Sequence, residues 1–338
     1  MDPCELTVVI ATYNRTSSLL QLLSQLESQT TPPSSFEVVV VDDGSLVPVR
    51  SVLEVRAWDF SLQLIEQQNA GQAVARHRGV LAARGRIVVI LDDDMSVPPS
   101  FLHAHASLHE AGAEVVLGHI RPSLELAKMP LFERFHAAQL ALFLEEVRAG
   151  KPIQGSALCT GNVSFRRELY LRVDGFDLAL KRSEDRELGI RFQAAGARFA
   201  FSEQAYSTHG SDHTDLEVWL KRSYLYGVYD AKIGKKHLED TRNDPWHYVF
   251  LVNALSRPLI AVSVFMPDVS KQLARVAFHV ADAVATVGLE TLALKGATVV
   301  FMLEYFRGVR DEAGSAGSSV RSFAAYLKRS RAGMRAAV

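Results

Sequence analysis

Over the first third of the chain, short apolar runs alternate with longer stretches of helical period. Residues 6–11, 36–41, 62–66, 87–91 and 114–120 are rich in Val, Ile and Leu and read as strands. Residues 17–28, 46–57, 71–84 and 98–111 lie between them and read as helices. In the first of these, Leu19, Leu22, Leu23 and Leu26 recur with a spacing of three and four, which puts them on one helical face. Strands that alternate with helices predict an α/β fold, a mostly parallel sheet flanked by helices. A further helix is expected over 128–149. Beyond residue 240 the pattern changes to long apolar helical stretches, about 246–266 and 271–306, which predict a C-terminal helical extension. The final 25 or so residues are rich in Ser, Gly, Ala and Arg and are expected to form a flexible tail.

Composition narrows the class. A chain of 338 residues with 48% hydrophobic content has the length of about two globular domains. A formal net charge of −1 supplies no global field for nucleic acid, so no nucleic-acid partner is expected. Two cysteines, Cys4 and Cys159, make neither a disulfide framework nor a zinc spacing and suit a reducing cytoplasm. Met1-Asp2-Pro3 has no basic start of a signal peptide. The later apolar stretches carry Arg257, Pro258, Asp282, Glu290 and Lys295, which are costly in lipid. They are expected to pack as a subdomain. Peripheral contact with the inner face of a membrane and a homodimer interface stay open for them.

The chemistry gathers at strand ends, where open α/β sheets bind ligands. Asp92-Asp93-Asp94 follows the run Ile87–Leu91 directly. Neighbouring carboxylates repel, and a hard divalent cation relieves that repulsion through oxygen ligands. On extended backbone Asp92 and Asp94 face the same way and share one ion. The local alternative is a solvated acidic turn. The first strand runs into Thr12-Tyr13-Asn14-Arg15, which serves either as a helix entry or as a wall for a flat base. The second ends in Asp42-Asp43-Gly44-Ser45, a tight turn with one carboxylate in reserve. Arg76, in the helix leading to the acidic strand, either pairs with Asp92 or meets a nucleotide. Ser183-Glu184-Asp185 opens a helix, with Ser183 as its cap, and only one of Glu184 and Asp185 can act as a general base. His209 is a loop histidine or a third metal ligand. No G-x-G-x-x-G and no Walker loop occurs.

Taken in order, the blocks 8–15, 36–45, 69–79, 87–94, 161–165, 175–177, 183–191 and His209 resemble glycosyltransferase family 2, with its GT-A nucleotide-sugar-binding fold. The resemblance covers about residues 5–235. It implies a catalytic domain over 1–235, with a nucleotide-binding half (1–125) and an acceptor half (126–235), a helical subdomain over 236–312, and a tail over 313–338. It implies inverting, non-processive transfer of a sugar to an acceptor hydroxyl on a glycan, a lipid-linked molecule or a small molecule. Its cofactors would be Mn²⁺ or Mg²⁺ and a UDP-sugar, or alternatively a GDP- or dTDP-sugar. Thr12, Tyr13, Asp43, Arg76, Asp92 and Asp93 would lie at the donor. Asp94, Asp92 and His209 would hold the metal, and Asp185 would be the base. The Q-x-x-R-W mark of processive synthases is absent. A binding or scaffold protein without catalysis, and a nucleotidyltransferase, are the competing readings.

Overall fold

The computed structural model describes residues 4–210 and 214–336; Met1-Asp2-Pro3 and the last two residues of the expected tail lie outside them. The chain forms two compact units, Met1–Glu125 with Ala137–Asp212, and Leu126–His136 with His213–Val338. The division falls ahead of residue 235, where the resemblance would end the catalytic domain.

The first unit is built on one eight-stranded sheet. Its elements in chain order are β1 (Leu6–Thr12), α1 (Thr16–Glu27), β2 (Phe36–Asp42), α2 (Arg50–Leu53), β3 (Ser61–Glu66), α3 (Gln72–Ala82), β4 (Ile87–Leu91), β5 (Met95–Ser96), α4 (Phe101–Glu110) and β6 (Val115–Arg121). Helix α5 (Leu131–Arg148) starts in the second unit and ends in the first. Then follow β7 (Asn162–Arg166), α6 (Arg167–Arg172), α7 (Glu184–Ala194) and β8 (Phe199–His209). The strand order is β3-β2-β1-β4-β7-β6-β8-β5.

Strands β3, β2, β1 and β4 run parallel. Strand β7 is antiparallel to both β4 and β6, and β5 is antiparallel to β8. Strand β6 is parallel to β8, so six of the eight strands run one way and only β7 and β5 run against them: the sheet is mixed and mostly parallel, as the alternating pattern predicts. The apolar runs are continuous because both faces are covered. Val8, Ile10, Val38, Val40 and Val89 pack with the leucines of α1 and with Phe101 and Leu102 of α4. Their neighbours Val9, Val39, Val41, Val88 and Ile90 pack with α3 and with Leu188 and Phe192 of α7 on the other face.

One expected helix shrinks. Residues 46–57 hold only the single turn α2, and Leu46, Val47 and Val55 stand exposed. Only Val49, Val52 and Leu53 reach the core, which is a stripe long enough for a single turn.

The second unit is helical: α8 (Leu216–Lys236), α9 (Tyr248–Leu251), α10 (Arg257–Phe265), α11 (Pro267–Thr286), α12 (Glu290–Ala313) and α13 (Ala316–Ala336). The stretch expected at 246–266 is broken by an Asn253 cap and by Pro258 in the first turn of α10. The stretch at 271–306 is broken at Gly288, which has φ +81°. The expected flexible tail is mostly α13, whose Tyr326 is buried among Trp246, Val309 and Phe306. Among the described residues no helix is long and apolar enough to cross a membrane.

Candidate active site

Four strand ends and one helix start bring the chemistry of the first unit together. The acidic triplet is not extended: Met95 N–H donates to Asp92 O, closing a turn between β4 and β5. The turn sends Asp92 to Arg76, while Asp93 and Asp94 both face Arg15 Nη1. The expectation that Asp92 and Asp94 face the same way rests on extended backbone, which this segment does not have.

Asp93 is buried and points back at β1, where it accepts from Thr12 Oγ1 at 2.7 Å. Burial pushes its carboxyl up to about 6, against the pull of Thr12 and Arg15. Asp94 lies between two nitrogen groups. Arg15 Nη1 is 2.5 Å from its Oδ2, and His209 Nε2 is 3.6 Å from the same oxygen. Burial acts to raise its carboxyl, but His209 and Arg15 outweigh that and hold it down at about 2. Its other oxygen, Oδ1, is buried and has no hydrogen-bond partner among the described residues. The sheet register explains His209: it pairs with Met95 across β5 and β8, and Gly210 N–H donates to Asp94 O at 2.8 Å.

Asp92 is half-buried and accepts from Arg76 Nη2 at 2.5 Å. The same guanidinium reaches Glu184 Oε1 at 3.0 Å, and Gln72 Nε2 donates to that oxygen at 2.8 Å. Arg76 is 4% exposed, and its Nε has no hydrogen-bond partner among the described residues. Burial opposes its charge, yet Asp92 and Glu184 together hold it firmly protonated. This buried bridge ties the end of β4 to the first residue of α7. It also separates the two candidate bases: Glu184 is consumed by Arg76 and Gln72, and Asp185 is left half-buried.

Asp185 accepts from the backbone N–H of Arg186 at 2.7 Å. Burial first, and the Glu184 charge second, push its carboxyl up to about 6; the Arg186 amide and Arg76 pull the other way. Ser183 does not cap α7 through its side chain. It turns the chain into the helix with φ +59°.

At the end of β2, Asp43 is buried and already engaged. Its Oδ1 accepts from Gln67 Nε2 and Ala70 N, and its Oδ2 accepts from Gly71 N at 2.9 Å. It orders the 67–71 loop that leads into α3. Gly44 follows with φ +83°, and a Cβ there would meet Asn69 N at 2.8 Å. Tyr13 is 46% exposed at the end of β1, an open ring face. Of the nine residues singled out from sequence, seven fall into two linked groups: Thr12, Asp93, Asp94 and His209, and Arg76, Asp92 and Asp185. Asp43 and Tyr13 stand apart from these contacts.

Arg15 has no role in the sequence reading, although three adjacent carboxylates call for a countercharge. A second unanticipated group braces β7. His109 Nδ1 contacts Ala113 O, His109 Nε2 and His105 Nδ1 both contact Ser164 Oγ, and His105 Nε2 contacts Asn162 Oδ1. Asn162 Nδ2 donates to Ala205 O, which fixes its oxygen toward His105. These four contacts need four protons, and one serine with two neutral imidazoles supplies three. Burial pushes His105 down to about 3 and His109 to about 4, so near neutral pH one contact lacks its hydrogen. Asn162 pairs with Leu91, the residue before the acidic turn.

Residues 7–173 match the model of the family described as glycosyl transferase family 2. The chain is 30% identical over 243 residues to the pre-mycofactocin glycosyltransferase of Mycobacterium tuberculosis, covering 70% of this chain and 49% of that protein. It is 30% identical over 230 residues to the validoxylamine A glucosyltransferase of Streptomyces hygroscopicus subsp. limoneus, covering 60% and 50%. The chain thus spans about half the length of the curated relatives it matches. The solved mannosyltransferase PcManGT from Pyrobaculum calidifontis, in complex with GDP-Man and Mn²⁺, aligns over 88% of this chain and 87% of its own, with TM-score 0.56 and 20% identity. That likeness shows a shared fold, of GT-A type. With its sheet, its acidic turn and these matches together, the chain is a member of glycosyltransferase family 2.

Proposed function

We propose that the chain moves a sugar from a nucleoside-diphosphate sugar to an acceptor hydroxyl, one residue at a time, with inversion at the anomeric carbon. The observation that carries this reading is Asp185, a half-buried carboxylate held near 6 and fastened beside the acidic turn by the Arg76 bridge. A base must be ionised and within reach of the proton it takes. In the reaction the acceptor oxygen bonds to the anomeric carbon as its proton passes to Asp185. The bond from that carbon to the diphosphate oxygen breaks, and its electron pair leaves with the nucleoside diphosphate. Single displacement requires the acceptor held in line, so positioning supplies much of the rate.

A divalent cation fits the residues present. Asp94 offers a buried oxygen, Oδ1, without a partner among the described residues, and His209 Nε2 lies 3.6 Å from its other oxygen, Oδ2. Among the described residues no three His, Cys, Asp or Glu side chains form a complete cage. Mg²⁺ and similar ions bind in this way, through one or two protein ligands plus substrate phosphates and water. Asp94 and His209 would hold the ion, with Asp92 near the diphosphate. When bound, the ion supplies Lewis-acid stabilisation of the departing phosphate. Tyr13 gives stacking area for a base, Asp43 orders the loop beside it, and Thr12 keeps Asp93 turned away from the donor. The base of the donor is uracil, guanine or thymine.

The test is to incubate the chain with UDP-, GDP- and dTDP-sugars and Mn²⁺ and follow nucleoside diphosphate release by phosphorus NMR. Release from donors of one base, faster with acceptor, is expected. No release and no binding with any donor would overturn the reading in favour of a scaffold.

A further inference from the structure

A cavity of about 200 Å³ opens beside the Asp185 cluster within the first unit. Leu140, Phe143 and Leu144 of α5 form one wall, and Leu117 and Phe201 of β6 and β8 form another. All but Leu117 are only half-buried, so the chain leaves this apolar surface uncovered. Two residues connect the cavity to the chemistry. Cys159 lines it, and burial followed by the Asp185 charge pushes its thiol up to about 12, so the thiol sits within that carboxylate's field. Ile120 also lines it. A Cβ on Gly161 would meet Ile120 Cδ1 at 3.2 Å and Asp92 Oδ2 at 3.4 Å, so cavity wall and acidic turn meet at that glycine.

Resting on the transfer reading above, we propose that this cavity is an acceptor subsite for one phenyl-sized apolar group attached to the sugar or alcohol that presents the hydroxyl. Size and chemistry both select that occupant. An apolar cavity of roughly 150 Å³ takes a benzene ring, so this one holds one ring and not two. Phe143 and Phe201 meet edge to face at 5.8 Å and 79°, which leaves faces and edges for a third ring. Besides its apolar side chains the lining carries His119, Gln139 and Asn162, too few polar groups to satisfy every hydroxyl of a buried glycan unit. The amide of Asn162, the most buried polar group of the lining, is already engaged with His105, Ala205 and Ser207.

The experiment measures binding of phenyl β-D-glucoside and methyl β-D-glucoside by saturation-transfer NMR, on the wild type, Leu140→Trp and Phe143→Ala. Melting curves check that each variant is folded, and donor turnover is followed separately on the wild type. The expected result is phenyl glucoside binding at least about tenfold tighter than methyl glucoside, the scale of a hydrophobic pocket contact. Leu140→Trp should erase that preference by filling the cavity, and Phe143→Ala should reduce it. Equal affinities in the wild type would overturn the proposal, as would a preference that survives both variants. Absence of donor turnover would instead overturn the transfer reading, and the acceptor role with it.

Discussion

The two compact units bury different things. The first places charge at the ends of its strands: Arg76, Asp93 and Glu184 are all 5% exposed or less, and Asp94 Oδ1 and Arg76 Nε have no hydrogen-bond partner among the described residues. The second places rings and small residues between helices. Phe132 stacks on Trp219 at 5.8 Å, Trp246 stacks on Phe306 at 5.6 Å, and Ala274, Ala281, Ala293 and Ala297 fill the spaces beside Phe132 and Trp219. Of its buried carboxylates, Asp230 accepts from Tyr305 Oη, Asp244 from Arg329 and Glu304 from Arg307, and these pairs are spread through the helices rather than gathered in one place. A buried charge with an unfilled valence costs stability and needs a reason outside the fold. The first unit gathers Asp92, Asp93, Asp94, Glu184, Arg15, Arg76 and His209 at one end of its sheet, and that clustering, more than burial alone, is why the function is assigned there.

Five measurements would break or sharpen that contrast. Asp185→Asn has the largest expected effect, a loss of about 10²–10⁴ in transfer rate, the usual share of a general base. Donor affinity should stay near wild type, and equal loss of both would remove Asp185 from the role of base. Arg76→Met should come next. It leaves the buried Glu184 and the half-buried Asp92 without their cation, a loss of about 3–5 kcal/mol in urea unfolding. Recovery of stability in Arg76→Met with Glu184→Gln would confirm that unpaired charge is the cause.

In the second unit the matching change is steric. A Cβ on Gly308 would overlap Tyr224 O, and one on Gly227 would overlap Tyr305 O, because α8 and α12 pack backbone to backbone. Gly308→Ala should cost about 1–3 kcal/mol through overpacking, with no change in donor binding. The fourth measurement is the pH profile. The Asp185 carboxyl is raised to about 6, so its ionised, active form is lost as pH falls through 6. At pH 5 about a tenth remains ionised, and the rate should fall about tenfold from its plateau. A limb near 4 would mean an unperturbed carboxylate. The smallest effect is expected at Arg148→Ala, which removes an exposed pair with Glu203 and should leave the unfolding midpoint unchanged.

The strands β1, β2 and β4 are legible because burial on both faces makes them unbroken apolar runs. The antiparallel insertion of β7 is not legible. Ile87 pairs with Arg166, a contact that no local pattern announces. The Arg76–Asp92 pair is foreseen by charge alone, whereas its third member, Glu184, needs the fold. The alternation argument for Asp92 and Asp94 fails because the strand ends at Leu91 and a turn begins. Helix α13 carries a period in Val320, Phe323 and Leu327 that its Ser- and Gly-rich start obscures. Arg15 is missed because it follows a different strand, and only the sheet order brings β1 beside β4.

The most direct test of the site is calorimetric titration of UDP, GDP and dTDP into the wild type and Asp94→Asn, each with Mn²⁺ and with EDTA. The account predicts that one nucleotide binds the wild type only when Mn²⁺ is present and that Asp94→Asn loses this binding while staying folded. Metal-independent binding that Asp94→Asn leaves untouched, or no binding of any nucleotide, would contradict it.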